Sequence, residues 1–524
     1  MEKVKQTMRD NAAMRWLVLI LISGLMFSTY WFQDFYGGLK GMMETTMGFT
    51  SEEFGRMIGL TTIANMFGMI IVGGIILDKW GIRIAGTAFA VLAVVGAAIA
   101  AAGASGFFGE EHGTKLTFMI IGRIMFGSGL EVICVVVTRT VVKWFKGKEL
   151  ALALAINMGF GRLGSALGIA VSPDIAGNHM PTAVVFAATL IGIALLLFLI
   201  YLIFDIRLDR QDKANQAKNV AEDEDFKFSD LVKLATDSSF VYIALLCVAF
   251  YAAVFPFIQY APDLLVNKFG FTYDLPETAN IVLFGSTALG NAAVYVALFI
   301  FGISFSLIPS RIKNKMGKLA AILVILILFV LFVNSLWDYL SVWFKNGPKT
   351  ASLIPLGTIL FTPIFGNYVD KKGKAASLMI LGSLLLIFAH LSLSIFNSVG
   401  LAYMGLMFLG VAFSLVPAAM WPSVAKIVAE NRLGTAYASM FTVQNWGLGL
   451  FLWGIGALLD LVNKSNLDAI RAGEMTYDYT IPIFILVGCG VISIFLAFKL
   501  KQSDRRQGYG LELPSGMTPE NSDK

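Results

Sequence analysis

Long apolar runs decide what this chain can become. Stretches of roughly 18 or more apolar residues recur along its whole length, and each can cross a ~30 Å hydrocarbon core. Inside lipid no water satisfies backbone N–H and C=O groups, so serial spans of this kind must be helices. The expected fold class is an all-α membrane protein. With 57% hydrophobic and 14% charged side chains, a soluble globular fold is excluded. Cys134, Cys247 and Cys489 all fall inside apolar runs, which argues against a disulfide framework or metal site. No phosphate loop, nucleophile triad or metal-ligand cluster is present. Gly159 to Gly164 fits G-x-G-x-x-G, but it lies within a span and follows no strand. Gly161/Ser165 and Gly164/Gly168 read better as small-residue helix contacts. An enzyme, a nucleic-acid binder and a cofactor protein are all disfavoured.

The first half reads as spans 14–37, 56–78, 82–104, 116–143, 149–172 and 181–204. Met1 to Arg15 lead into the first of them with no small-residue cleavage site, so it reads as a retained helix. A polar linker of mixed charge fills 205–237. The second half reads as 238–265, 285–308, 319–344, 350–369, 374–396, 399–429, 433–460 and 477–500, with a polar tail at 501–524. That makes fourteen spans. With the N-terminus cytoplasmic, the inner segments collect 29 of the 40 Lys and Arg, which fixes the expected orientation with both termini inside.

One loop occurs twice. Gly74-Ile75-Ile76-Leu77-Asp78-Lys79-Trp80-Gly81-Ile82-Arg83 and Gly366-Asn367-Tyr368-Val369-Asp370-Lys371-Lys372-Gly373-Lys374 each join two apolar runs. Repetition at this distance implies two related halves around a central site. The loop resembles the signature of the major facilitator superfamily, which follows the second helix of each six-helix half. The resemblance implies two pseudo-symmetric halves, 1–204 and 238–500. Counting from the second loop, 285–344 is then a two-helix hairpin inserted into an outer connection. Its basic tip (Arg311, Lys313, Lys315, Lys318) suits a cytoplasmic turn. It reads as a lipid-facing appendage packed on the bundle or on an accessory subunit, with one intramembrane charge, Asp338.

Charge inside the bilayer costs ~2.5–3.5 kcal/mol per group and asks for a reason. The span 116–143 holds Arg123, Glu131 and Arg139, and the next holds Arg162. Glu131 lies as far before the turn at Phe145 to Lys148 as Arg162 lies after it, so both sit near mid-membrane on antiparallel neighbours. They can pair, or stand apart as poles for a zwitterion, with the Arg fork taking the carboxylate. Arg139 lies close enough to the inner end to snorkel. Asp78, Arg83, Asp370 and Lys371 are candidate gate residues, pairing across the half-bundle interface in one state and parting in the other.

A narrower likeness adds to this. Trp144-Phe145-Lys146-Gly147-Lys148-Glu149-Leu150 followed by Arg162-Leu163-Gly164-Ser165 resembles the lysosomal dipeptide-transporter branch, the group called major facilitator superfamily domain-containing protein one. Val254-Phe255-Pro256-Phe257-Ile258, Lys268-Phe269-Gly270-Phe271, Leu433-Gly434-Thr435-Ala436-Tyr437 and Gln444-Asn445-Trp446-Gly447-Leu448 carry the same likeness. It implies a dipeptide or similar zwitterion as substrate, with Glu131 and Arg162 at matching positions. Arg123-Ile124-Met125-Phe126-Gly127 looks like the superfamily's fourth-helix motif, linked there to coupling or packing. Helices that line the superfamily cavity contribute Asp34, Tyr30 and Tyr36, then Tyr251, Gln259 and Tyr260, with Trp421, Gln444 and Asn445 from later spans. The N-terminal segment has no acidic dileucine signal, which points to a prokaryotic relative in the plasma membrane, such as a bacterial inner membrane. The expected activity is secondary transport of dipeptides or amino-acid-like zwitterions, as a uniporter or proton-coupled symporter. An organic-anion or sugar-acid/proton symporter and a non-transporting receptor or assembly subunit are the alternatives.

Overall fold

A computed structural model describes residues 7–214, 228–429, 432–514 and 517. Linker residues 215–227 and most of the expected tail past 514 lie outside the described residues. The long helices are α1 (Ala12–Asp34), α2 (Ser51–Leu60), α3 (Met69–Ala104), α4 (His112–Phe145), α5 (Leu150–Ala176) and α6 (Met180–Ala214). There follow α7 (Ser238–Phe269), α8 (Thr287–Arg311), α9 (Lys315–Ser335), α10 (Leu353–Lys372) and α11 (Ala375–Ser394). Last come α12 (Val399–Ile427), α13 (Leu433–Val462) and α14 (Thr480–Gln507). Among the described residues there is no β-strand. Side-chain caps set several starts: Asn11 accepts from Ala13 and Met14, Asp237 from Ser239 and Phe240, and Asn314 from Met316.

Thirteen described segments are long and apolar enough to cross a membrane, one fewer than the sequence count. The difference lies at the first repeated loop, where α3 contains two spans folded back at Gly81, with φ 75° and ψ 172°. Packing on α4 shows the reversal. Before the turn Gly73 abuts Val132 and Asp78 bonds Arg139, so the numbering rises together. After it Gly86 abuts Val136 and Gly96 abuts Phe126, so the numbering runs oppositely. The second span therefore begins in α2, is interrupted at Thr61-Thr62 and Phe67-Gly68, and ends at Gly81.

The small-residue run of α5 binds α1. A Cβ on Gly164 would sit 2.1 Å from the Phe27 carbonyl oxygen, and one on Gly168 would sit 2.9 Å from that of Trp31. Gly161 faces the Tyr30 ring, and the Ser165 hydroxyl donates to Asp34. Helices can approach this closely only where a side chain is missing.

The start of α1 and the α4–α5 turn share one face of the bundle, the near face. Lys148 bonds Asp10, and Arg15 meets Glu149 at 3.2 Å, which places the α4–α5 turn beside the start of α1. The two halves run in register, since Asp34 pairs with Gln259 and Lys40 with Asp263 along α1, its extension and α7. The start of α7 therefore lies on that same near face. On the far face the halves are tied together. Lys40 Nζ lies 2.8 Å from Asp263, Lys349 Nζ 2.8 Å from Asp174, and the Glu52 N–H donates to Asp460 at 2.7 Å.

The hairpin α8–α9 is not uniformly peripheral. Phe299 of α8 packs on Phe160 of α5 with ring centroids 5.3 Å apart, and Gly302 faces Ile359 of α10. α8 thus covers the seam between one helix of each half, whereas almost none of α9 is buried against protein. Asp338 lies in the first turn of a short helix, Trp337–Trp343, that follows α9.

Candidate substrate site between the halves

Glu131 and Arg162 project from the middles of α4 and α5, and both keep partly exposed surface although their helices are largely buried. No ion pair joins the two among the described residues. Arg162 instead stacks its guanidinium over the Phe413 ring of α12, 4.4 Å from the centroid. Glu131 lies near the Asn445 side chain of α13, whose amide donates to the Phe441 carbonyl at 2.9 Å. Each charge of the first half thus meets a neutral group of the second. Tyr30 lies within electrostatic reach of Cys134, Glu131 and Arg162.

The second half offers an aromatic wall. Trp421 Nε1 donates to the Tyr251 hydroxyl at 3.0 Å, and Tyr251 stacks on Phe255 with centroids 5.4 Å apart. Phe255 meets Phe413 edge-on at 5.4 Å, and Trp421 stacks on Phe441 at 4.7 Å. The wall is continuous from the Arg162 stack to Trp421. A solute held between the halves would find charge on one side and π-faces on the other.

Other expected site residues are already partnered. Asp34 is buried and accepts from Ser165 and, at 2.7 Å, from Gln259 across the seam. Gln444 is buried and accepts from the Cys247 thiol at 3.5 Å. Tyr260 donates to the Leu452 carbonyl at 2.9 Å, while the Tyr36 hydroxyl is buried without a hydrogen-bond partner. His390, fully buried in α11, packs against Phe257. Arg123 is fully buried and turned away from Glu131. It donates to the carbonyls of Phe32 (2.7 Å) and Gln33 (3.4 Å) and to Thr61 Oγ1 (2.9 Å). Those carbonyls lie where α1 passes into the 3-10 turn Phe35–Leu39, and Thr61 lies at the break after α2. Arg123 therefore ties two irregular helix ends together.

The gate candidates lie on the near face. Asp78 pairs with Arg139, and Arg83 bonds Asp205 at 2.6 Å and Asp209, with Lys143 joining Asp205 at 2.7 Å. These pairs lie among α3, α4 and α6, the last of which continues to Ala214, past the expected linker boundary at 205. Asp370 and Lys371 are exposed at the end of α10. Sequence reasoning missed the far-face partners Lys40, Asp263, Asp174 and Lys349, and it missed Phe413 as the seat of Arg162. Lys40 and Asp263 are buried charges near span ends, a signal that could have flagged them.

Family models bear on this geometry. Residues 18–344 match the model described as Major Facilitator Superfamily, and residues 349–522 match the one described as MFS_1 like family. The chain belongs to the Major Facilitator Superfamily. It is 27% identical over 456 residues to the lysosomal dipeptide transporter MFSD1 of Danio rerio, covering 85% of this chain and 81% of that one. The human protein of the same name is 25% identical over 463 residues, covering 86% and 81%. Among solved structures, the nucleoside transporter NupG aligns with a TM-score of 0.55 at 15% identity, covering 93% of this chain and 98% of that one. The inward-open xylose transporter XylE from E. coli aligns with a TM-score of 0.55 at 12% identity, covering 97% and 98%. A bacterial homologue of the human lysosomal transporter Spinster, inward-facing and occupied, gives 0.57 at 12%, covering 94% and 97%. These structures share the fold: two pseudo-symmetric six-helix halves, to which this chain adds a hairpin. The protein is a multi-pass membrane transporter of this superfamily and not an enzyme.

Proposed function

We propose that the protein carries dipeptides or similar zwitterions by alternating access, binding them between Glu131 and Arg162. One pattern carries the reading: the two opposite charges lie equally many residues from the α4–α5 turn, form no ion pair with each other among the described residues, and lie beside Asn445 and Phe413 of the other half. An isolated charge so deep in a bundle is costly, and a bound solute of opposite polarity at each end offsets that cost. Arg162 would take the solute carboxylate, Glu131 its ammonium, and the wall of Phe255, Phe413 and Trp421 its side chain. Closure on the near face would bring the halves together around the solute, with Asp78, Arg83, Asp370 and Lys371 exchanging partners across the interface. The likeness to lysosomal dipeptide transporters supports the same substrate class. Proton coupling would run through Glu131, which can shed its charge when the solute leaves. The positive-inside bias supports cytoplasmic termini, and the lack of an acidic dileucine signal in the N-terminal segment supports the plasma membrane.

A second reading, an organic-anion/proton symporter, draws on the Arg162 seat alone. Uptake in proteoliposomes separates the two. Glu131→Gln and Arg162→Ala should each abolish dipeptide uptake, and thermal shift should show dipeptides stabilising the wild type only. Proton-driven uptake of simple carboxylates lacking an amine by the wild type, lost in Arg162→Ala, would favour the anion reading. Undiminished dipeptide uptake in both variants would end both readings.

A further inference from the structure

The inserted hairpin meets the bundle along a cleft that the transport reading does not use. Between α8 and the near-face ends of α1 and α5 lies a cavity of about 320 Å³. Its walls are apolar, with Ile156 from α5 and Ile303 and Leu307 from α8. Trp16, Ser304 and Arg311 are its polar members. The Trp16 ring is pinned edge-on against Phe145, centroids 5.5 Å apart, at the near-face ends of α1 and α4. Indole rings favour that level, the boundary between hydrocarbon and headgroups. Arg311 ends α8 at the same level, and Lys313, Lys315 and Lys318 follow with no acid among them. Arg311, Lys313 and Lys315 are exposed, and none of the four cations has a side-chain partner among the described residues.

We infer that this cleft holds an acyl chain of an anionic phospholipid, whose phosphate rests on Arg311 and the hairpin-tip lysines. An apolar slot at membrane depth excludes soluble anions, and unpartnered cations at its mouth favour a ligand with net negative charge. One molecule meets both demands when a hydrocarbon tail and a phosphate are joined. A zwitterionic lipid fits the slot but brings its own ammonium to the cations. The Arg311 fork suits phosphate oxygens, while the lysines add charge at short range. Below the Phe160–Phe299 contact, the lipid would fill the gap between α8 and the first half. It would thereby fasten the hairpin over the seam it covers.

The test uses the full-length protein reconstituted in equal phosphatidylglycerol and phosphatidylcholine, then extracted into mild detergent. Retained phospholipid is counted by native mass spectrometry. The wild type should keep phosphatidylglycerol over phosphatidylcholine. Arg311→Gln, a change at an exposed side chain, should lower that retention by about five-fold, and Lys313→Gln with Lys315→Gln should lower it further. Ser304→Trp fills the slot and leaves every cation in place, and it should lower retention too. Added inorganic phosphate should not compete. Equal retention of both lipids would overturn the inference. So would phosphatidylglycerol retention untouched by Ser304→Trp, since surface charge alone would then hold the lipid.

Discussion

Lys40 and Asp263 lie 2.8 Å apart across the seam between the halves, both withdrawn from water. Asp263 also accepts from Tyr273, Tyr479 and the Asn267 amide, and Lys40 reaches Glu44 at 2.6 Å. A lone buried carboxylate costs far more than a paired one, so Lys40→Met should destabilise far-face closure by about 3–5 kcal/mol. Cysteines placed on far-face cavity walls should then label faster than in the wild type. Unchanged labelling would show that this pair is no lock.

Arg123 makes a different claim. Its three partners are backbone carbonyls and a hydroxyl, so it stabilises the fold rather than contacting solute. Arg123→Met leaves buried acceptors unsatisfied at about 1–3 kcal/mol each, and the melting temperature in detergent should fall sharply. Thr61→Val should cost about 1 kcal/mol. Dipeptide affinity in the surviving folded fraction should stay near wild type, as binding isotherms would reveal.

Glycine packing separates two otherwise similar sites. Gly164→Ala would push a Cβ into the Phe27 carbonyl of α1, whereas a Cβ on Gly192 of α6 meets nothing within 4 Å. The first change should lower thermal stability by several degrees. The second should be neutral or stabilising by up to about 1 kcal/mol, because Ala loses less chain entropy in a helix. Equal effects would contradict the close α1–α5 contact.

Stacking on the second half can be examined through Phe413. Phe413→Leu keeps the volume roughly apolar but removes the π-face beneath Arg162. Loss of a cation–π contact of about 0.5–2 kcal/mol should weaken binding of a carboxylate-bearing solute a few-fold up to about thirty-fold. Isothermal titration with a dipeptide measures this directly. Wild-type affinity in the variant would remove Phe413 from the site.

Much of this architecture was legible in the sequence. Span length and the repeated loop gave both halves and the extra hairpin, because a helix needs a set number of apolar residues to cross the hydrocarbon core. The fold-back at Gly81 was also foreseen, and helix resumes so directly on both sides of that one non-helical residue that the two spans merge in length. What escaped was lateral placement. Lys40 and Asp263 are 223 residues apart, and Asp34 and Gln259 are 225 apart, so no local pattern links them. Periodicity says that Arg123 faces inward, but not that helix-end carbonyls rather than solute await it.

The central claim is that both ends of the solute are read by charge. The most direct measurement is uptake into proteoliposomes of one dipeptide in three forms: free, N-acetylated, and C-terminally amidated. Uptake of the free form alone is expected, with Glu131→Gln relaxing rejection of the acetylated form and Arg162→Gln relaxing rejection of the amide. Equal uptake of all three forms by the wild type would contradict the account.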